Sequence, residues 1–195
     1  MTTPAPVDPS RTALLVMDYQ PFILGNYPNA ADLIERTAEA IAQARAGGLK
    51  IVYVRVAFTP QDYAAIPSRN KGFAAIAKAG VLDDGTPEAA IHPDLAPVDG
   101  DIVVTKTRRG AFSTTNLANY LHTHGIDSLV LAGLSTSGVV LSTVSDASDH
   151  DYRILILTDC CDDGRPEVHR VLMEQVFAHQ ADLIDTKMLP SVLGR

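Results

Sequence analysis

The feature that most restricts the fold of this chain is a series of short apolar runs, each unbroken by polar residues. They are TALLVM (12–17), IVYV (51–54), IVVT (102–105), LVLA (129–132) and ILIL (154–157), with a weaker sixth, DLID, at 182–185. Continuous β-branched runs of this length suit strands buried on both faces, as in a parallel sheet. Between them lie segments of helical period at 30–48, 115–125, 137–151 and 166–180. The first ends in Gly47-Gly48 and the second in Gly125, residues that stop helices, while the last opens with Pro166 and Glu167, a first-turn pair. This alternation predicts a three-layer α/β/α sandwich around a doubly wound, mostly parallel, Rossmann-like sheet of about six strands. Residues 57–101 differ, being rich in Pro, Gly and Asp, with at most a short helix near GFAAIAKAG (72–80). A long excursion between two strands commonly shapes a binding site.

A chain of 195 residues fits a single domain, 1–195. Its first ten residues, MTTPAPVDPS, have neither the basic nor the apolar region of a signal peptide and are expected as a disordered lead-in. No apolar run approaches membrane-spanning length. The formal net charge of −7 argues against nucleic acid and anionic membrane surfaces as partners. The only cysteines, Cys160 and Cys161, are adjacent, so no disulfide framework is expected and a reducing cytoplasm fits.

In an open parallel sheet, ligands bind outside the carboxyl ends of the strands. Asp18 follows the first run, Arg55 the second, Lys106 the third and the Gly133–Val139 turn the fourth; Asp159, Cys160 and Cys161 lie just past the fifth. An acid and a lysine brought to one rim can pair, with partial burial setting their charge. By residue type alone, the plainer reading is that Asp18 forms a turn in DYQP and Lys106 is solvated.

Three motifs together carry a resemblance that spans roughly Thr12 to Asp185. They are TALLVMDYQ, VVTKTRRGAFSTTNL and LVLAGLSTSGVVLSTVSDA. In that order they resemble the isochorismatase-like hydrolase superfamily, which includes nicotinamidases, N-carbamoyl-amide hydrolases and isochorismatases. The resemblance implies that Asp18 is the catalytic aspartate and Lys106 the catalytic lysine. It places Val139 where members commonly carry a nucleophilic cysteine, and a cis peptide at Leu134–Ser135. Backbone N–H groups of the turn formed by Leu134, Ser135, Gly138 and Val139 would then hold an oxyanion. The family's isochorismatases also lack cysteine, with glycine there, and keep the aspartate and lysine; this chain departs from them in having valine and in lacking their aromatic-Ala-His turn. Some members bind a metal after the second strand, but residues 54–66 contain no histidine and the other histidines lack ligand spacing, so no metal and no cofactor are expected.

Valine has no lone pair, so covalent catalysis from position 139 is excluded. Ser135, Thr136, Ser137 and Ser142 read as caps and hydrogen-bond donors, with Thr136 or Ser137 as the helix N-cap. Cys160 reads as a small buried hydrophobe. What remains is Asp18 as proton donor or as activator of water, with Lys106 holding a substrate carboxylate or stabilising negative charge. Arg55 and Arg109 are candidate anion holders. Phe22, Phe58, Phe112 and Thr136 are candidate pocket residues. The sequence thus points to a hydrolase of a small metabolite without a cysteine nucleophile; the alternative is a catalytically silent member that binds a small ligand or a protein partner. The resemblance further implies a homo-oligomer, a dimer or larger.

Overall fold

The computed structural model describes residues 4–195. Its sheet comprises β1 (Thr12–Met17), β2 (Lys50–Val56), β3 (Ile102–Lys106), β4 (Ser128–Leu134), β5 (Arg153–Asp162) and β6 (Asp182–Ile184). All neighbours pair in parallel, in the order β3-β2-β1-β4-β5-β6. The helices are α1 (Pro21–Leu24), α2 (Ala30–Gly47), α3 (Pro60–Ala64), α4 (Lys71–Ala79), α5 (Leu117–Thr123), α6 (Leu141–Asp149), α7 (Pro166–Val171) and α8 (Leu189–Val192). Every expected apolar run lies on a strand, and β1 shows why: it is buried along its whole length. Leu14 and Val16 pack with α2 and α8 on one face, while Ala13, Leu15 and Met17 pack with α5 and α6 on the other. A strand with no solvent face needs an unbroken apolar run. Among the described residues no helix is long and apolar enough to cross a membrane.

Four expectations are corrected. Residues 1–3 of the expected lead-in lie outside the described residues, but from Val7 the chain is docked. Val7 is buried and its N–H donates to the Val192 carbonyl at 3.0 Å, and Asp8 caps the turn Pro9–Arg11 through Ser10 N at 2.9 Å. Asp159, Cys160 and Cys161 lie inside β5, not past it. The β4–β5 register shifts between Leu131 and Gly133, and polar Thr158 and Asp159 interrupt the run at this bulge. Asp159 is used there, accepting the Thr186 hydroxyl at 2.6 Å. The excursion holds α3 as well as α4. Its start is a capping box in which the Thr59 hydroxyl accepts from Asp62 N and the Asp62 carboxylate accepts from Thr59 N. Finally, the segment expected as one helix at 137–151 begins as a wide turn, Thr136–Val140, before α6. The segment 166–180 likewise passes from α7 into a wide turn and a short 3-10 turn.

The excursion is tied to β1 by one buried side chain. Gln20 Nε2 donates to the carbonyls of Val56 (2.8 Å) and Ala89 (2.7 Å), and its Oε1 accepts from Val56 N (2.8 Å). His92 N donates to the Tyr19 carbonyl at 2.9 Å, and Phe58 N to the Leu82 carbonyl at 2.9 Å. The strand order reverses between β1 and β4, both of whose carboxyl ends open on one crevice, the place where doubly wound sheets bind ligands.

Candidate active site

At the end of β1, Asp18 turns out of the strand with φ 62°, a left-handed backbone that aspartate tolerates better than most side chains. Its N–H still bonds the Val54 carbonyl at 2.8 Å, which fixes the turn against β2. Lys106 is the last residue of β3. Its ammonium donates to Asp18 Oδ2 at 2.8 Å and to the Arg108 carbonyl at 3.2 Å. Both side chains are nearly sealed, Asp18 being 5% exposed and Lys106 2%. Asp18 Oδ1 is buried without a hydrogen-bond partner among the described residues. Burial pushes the Asp18 pKa above its ordinary value, against the pull of the adjacent ammonium.

The turn after β4 forms the facing wall. The Leu134–Ser135 peptide is cis, and Gly138 sits at φ −104°, ψ −106°. A Cβ at Gly138 would stand 2.5 Å from Ser135 Oγ, so a larger residue there would push the Ser135 hydroxyl out of its place. The chain beyond β5 braces it twice. Asp163 Oδ2 accepts the Ser137 N–H at 2.8 Å, and Thr136 Oγ1 bonds His169 Nδ1 at 2.8 Å. Val139 is 2% exposed. It packs into the core layer beneath and still borders the cavity that Asp18 borders.

That cavity measures about 400 Å³. Leu134, Ser135, Gly138 and Val139 line one side, and Asp18 and Lys106 the floor. The opposite wall is apolar, from Phe22, Phe73, Ile76 and Leu82, and Arg108 and Arg109 stand beside it.

The profile of the isochorismatase domain matches residues 12–188. The chain belongs to the isochorismatase family. This isochorismatase-family chain is 31% identical over 160 residues to the maleamate amidohydrolase of Pseudomonas putida, covering 80% of this chain and 72% of that protein. It is 29% identical over 213 residues to the ureidoacrylate amidohydrolase RutB of Methylobacterium radiotolerans, covering 98% and 83%. Its fold superposes on the crystal structure of a cysteine hydrolase from Pseudomonas syringae with a TM-score of 0.85 at 20% identity, covering 100% of this chain and 99% of that one.

Four of the residues expected at the pocket of this isochorismatase-family chain lie elsewhere. Arg55 belongs to β2 and is engaged by Asp84 at 2.7 Å and the Ala89 carbonyl at 3.3 Å. Phe58 is wholly buried in a small core beneath the excursion, stacked with Tyr63 at 5.2 Å between ring centroids. Phe112 packs between His150 (5.6 Å) and Tyr152 (6.0 Å). Thr136 turns to His169 and is no N-cap; the turn's exposed N–H is met by Asp163. Cys160 and Cys161 point into opposite core layers, away from the cavity. Burial raises both thiol pKa values, that of Cys161 to about 12.

Phe22 and Arg109 do border the cavity. Phe73, Ile76, Leu82, Tyr27 and Asp163 border it too, and the sequence reading does not single them out. Phe73 and Ile76 are three apart on α4 and share a face, which is a visible signal, but only the folded excursion decides where that face points.

Proposed function

We propose that this protein cleaves a small anionic metabolite by proton transfer from Asp18, with no covalent enzyme intermediate. The observation that carries the reading is Val139: where the family resemblance puts the nucleophile, and bordering the same cavity as Asp18 and Lys106, stands a side chain with no atom able to attack. An acyl-enzyme route from position 139 is therefore closed, although relatives of the chain are named as amidohydrolases.

The pair itself favours a proton donor over a base. Lys106 occupies Asp18 Oδ2, so a proton taken up by Asp18 would sit on Oδ1, the oxygen left without a partner. Burial raises the proton affinity of the carboxyl, which suits an acid that must be protonated when substrate arrives. The reaction class that needs only this is hydrolysis of an enol ether, the bond the family resemblance suggests. The Oδ1 proton passes to the terminal alkene carbon, leaving an oxocarbenium ion. Water adds to that ion and returns a proton to Asp18, and the hemiketal collapses to a carbonyl compound and an alcohol. Lys106 keeps Asp18 oriented and offsets the carboxylate charge that appears once the proton has left.

The test is a screen of small carboxylated enol ethers, amides and carbamates, repeated in deuterated water. Expected are turnover of an enol ether with one solvent deuterium in the product methyl group, a loss of about 10²–10⁴-fold in Asp18→Asn, and no enzyme adduct by intact-mass analysis. Asparagine keeps both the shape of the side chain and its tolerance of φ 62°, so lost activity would report lost proton transfer. Amide turnover through a trapped acyl-enzyme, or an undiminished Asp18→Asn, would overturn the reading.

A further inference from the structure

We infer that Arg109 is the seat of a carboxylate on the substrate, an assignment that rests on the reading above only in taking this cavity as the substrate's place. Three cationic side chains border the cavity, and two are already engaged. Lys106 is held by Asp18 and by the Arg108 carbonyl. Arg108 lies over the Phe73 ring at 5.4 Å from its centroid and donates Nη1 to the Thr107 carbonyl at 2.6 Å. The Arg109 guanidinium has no hydrogen bond and no ion pair among the described residues. Its counter-charge must come from solvent or from a ligand.

Two glycines give it room. A Cβ at Gly72, in the first turn of α4, would stand 3.7 Å from Arg109 Nη2, and one at Gly138 would stand 3.6 Å from Nη1. The guanidinium thus lies between the helix that roofs the cavity and the turn that carries Val139. It also borders a second cleft of about 460 Å³, lined by polar side chains that include Ser113, Ser142 and Asp146. Arg109 therefore stands where the two clefts meet, with its fork of N–H donors beside the reacting end of the first. A planar fork of this kind matches a carboxylate in bidentate fashion. A doubly charged phosphate fits less well, because Asp163 borders the first cleft and Asp146 the second, and the chain as a whole carries −7. The apolar wall of Phe22, Phe73 and Leu82 asks for a hydrocarbon body behind the carboxylate.

The probes are benzoate and cyclohexanecarboxylate, each paired with its neutral carboxamide, and phenyl phosphate. Binding is followed by NMR titration of wild type, Arg109→Gln and Arg109→Lys, with melting temperatures confirming that the variants are folded. The wild-type protein is expected to prefer each carboxylate over its amide and over phenyl phosphate, and to lose that preference as salt is raised. Arg109→Gln should weaken carboxylate binding by about tenfold or more and change amide binding by less than about twofold. Arg109→Lys should fall between, since it keeps the charge and loses the fork. A wild-type protein with no preference for any carboxylate, or an Arg109→Gln variant that binds carboxylates as wild type does, overturns the assignment; tighter binding of phenyl phosphate does so too. Because binding is read without turnover, failure here leaves the role of Asp18 untouched, and an active Asp18→Asn leaves this result standing.

Discussion

Replacing Lys106 by methionine would leave Asp18 without its counter-charge. The change keeps the length and most of the volume of the side chain and deletes the ammonium that lies 2.8 Å from Asp18 Oδ2. An ionised Asp18 would then be buried without a counter-charge, a situation that costs about 3–5 kcal/mol. The variant can limit that loss by taking up a proton, and this sets the sign of its pH dependence. Burial already raises the Asp18 pKa above 3.8 with the lysine present, and removing the lysine raises it further. A carboxyl whose folded pKa lies above its unfolded one stabilises the fold fully below the unfolded pKa. That contribution is lost as pH rises through the folded value. The destabilisation of Lys106→Met should therefore be near 1 kcal/mol in acid, where only hydrogen bonds are lost. It should grow toward about 3–5 kcal/mol at neutral and alkaline pH. Urea unfolding followed by circular dichroism, at about pH 3 and about pH 8, measures both ends of this range. Adding Asp18→Asn to Lys106→Met should restore most of the loss at the higher pH. A cost that is the same at both pH values, or that asparagine does not relieve, would refute the account of a buried, charge-compensated pair.

Val139→Cys supplies a thiol to the turn without overpacking it. Bordering the same cavity as Lys106, it is expected to react faster with iodoacetamide than Cys160 or Cys161 do and to confer weak amidase activity that Asp18→Asn removes; an inert thiol in a folded variant would mean that the turn does not support a thiolate. In the native protein, Cys160 and Cys161 should resist Ellman's reagent at mildly alkaline pH and both react in denaturant, because burial holds their thiols protonated, Cys161 with a pKa of about 12; rapid native labelling would contradict their burial. Gln20→Leu removes the partner of the Val56 N–H and of the Val56 carbonyl, while the Ala89 carbonyl keeps its bond from Arg55. At about 1–3 kcal/mol for each of the two buried orphans, the loss in urea unfolding should be about 2 kcal/mol or more, and a change below about 1 kcal/mol would show that the excursion relaxes away from β1.

The strands were legible because a doubly covered parallel sheet leaves no solvent face. The runs at 12–17 and 129–132 are buried throughout, so sequence and burial carry the same information there. At β5 that equivalence fails. Thr158 and Asp159 face a bulge where polar groups are satisfied locally, and the strand continues through them. Asp18, Lys106 and Val139 were legible as strand-end and turn residues whose order matched a known pattern. The misplaced residues share another cause. Arg55 follows an apolar run and so looks like a rim residue, yet Asp84 from the excursion folds back to pair with it. Phe58 opens the excursion and is swallowed by the excursion's own core. Asp163, which braces the turn, gives no signal of its role until β5 and β4 are laid side by side.

Anchorage of the excursion at a few backbone points has a consequence for how such an enzyme can diversify. Gln20 and Tyr19 hold residues 89–92, and Phe58 holds 82–84. The stretch between Phe58 and Leu82, with Phe73 and Ile76, roofs the cavity while leaving the backbone bonds of Asp18 and Lys106 untouched. It is a cassette clipped at a few points onto the Asp18–Lys106 floor. Substitutions and length changes there would reshape the cavity wall while the Asp18–Lys106 pair keeps its geometry. Selection for a new substrate can thus act on one segment of the gene while selection for chemistry acts on others.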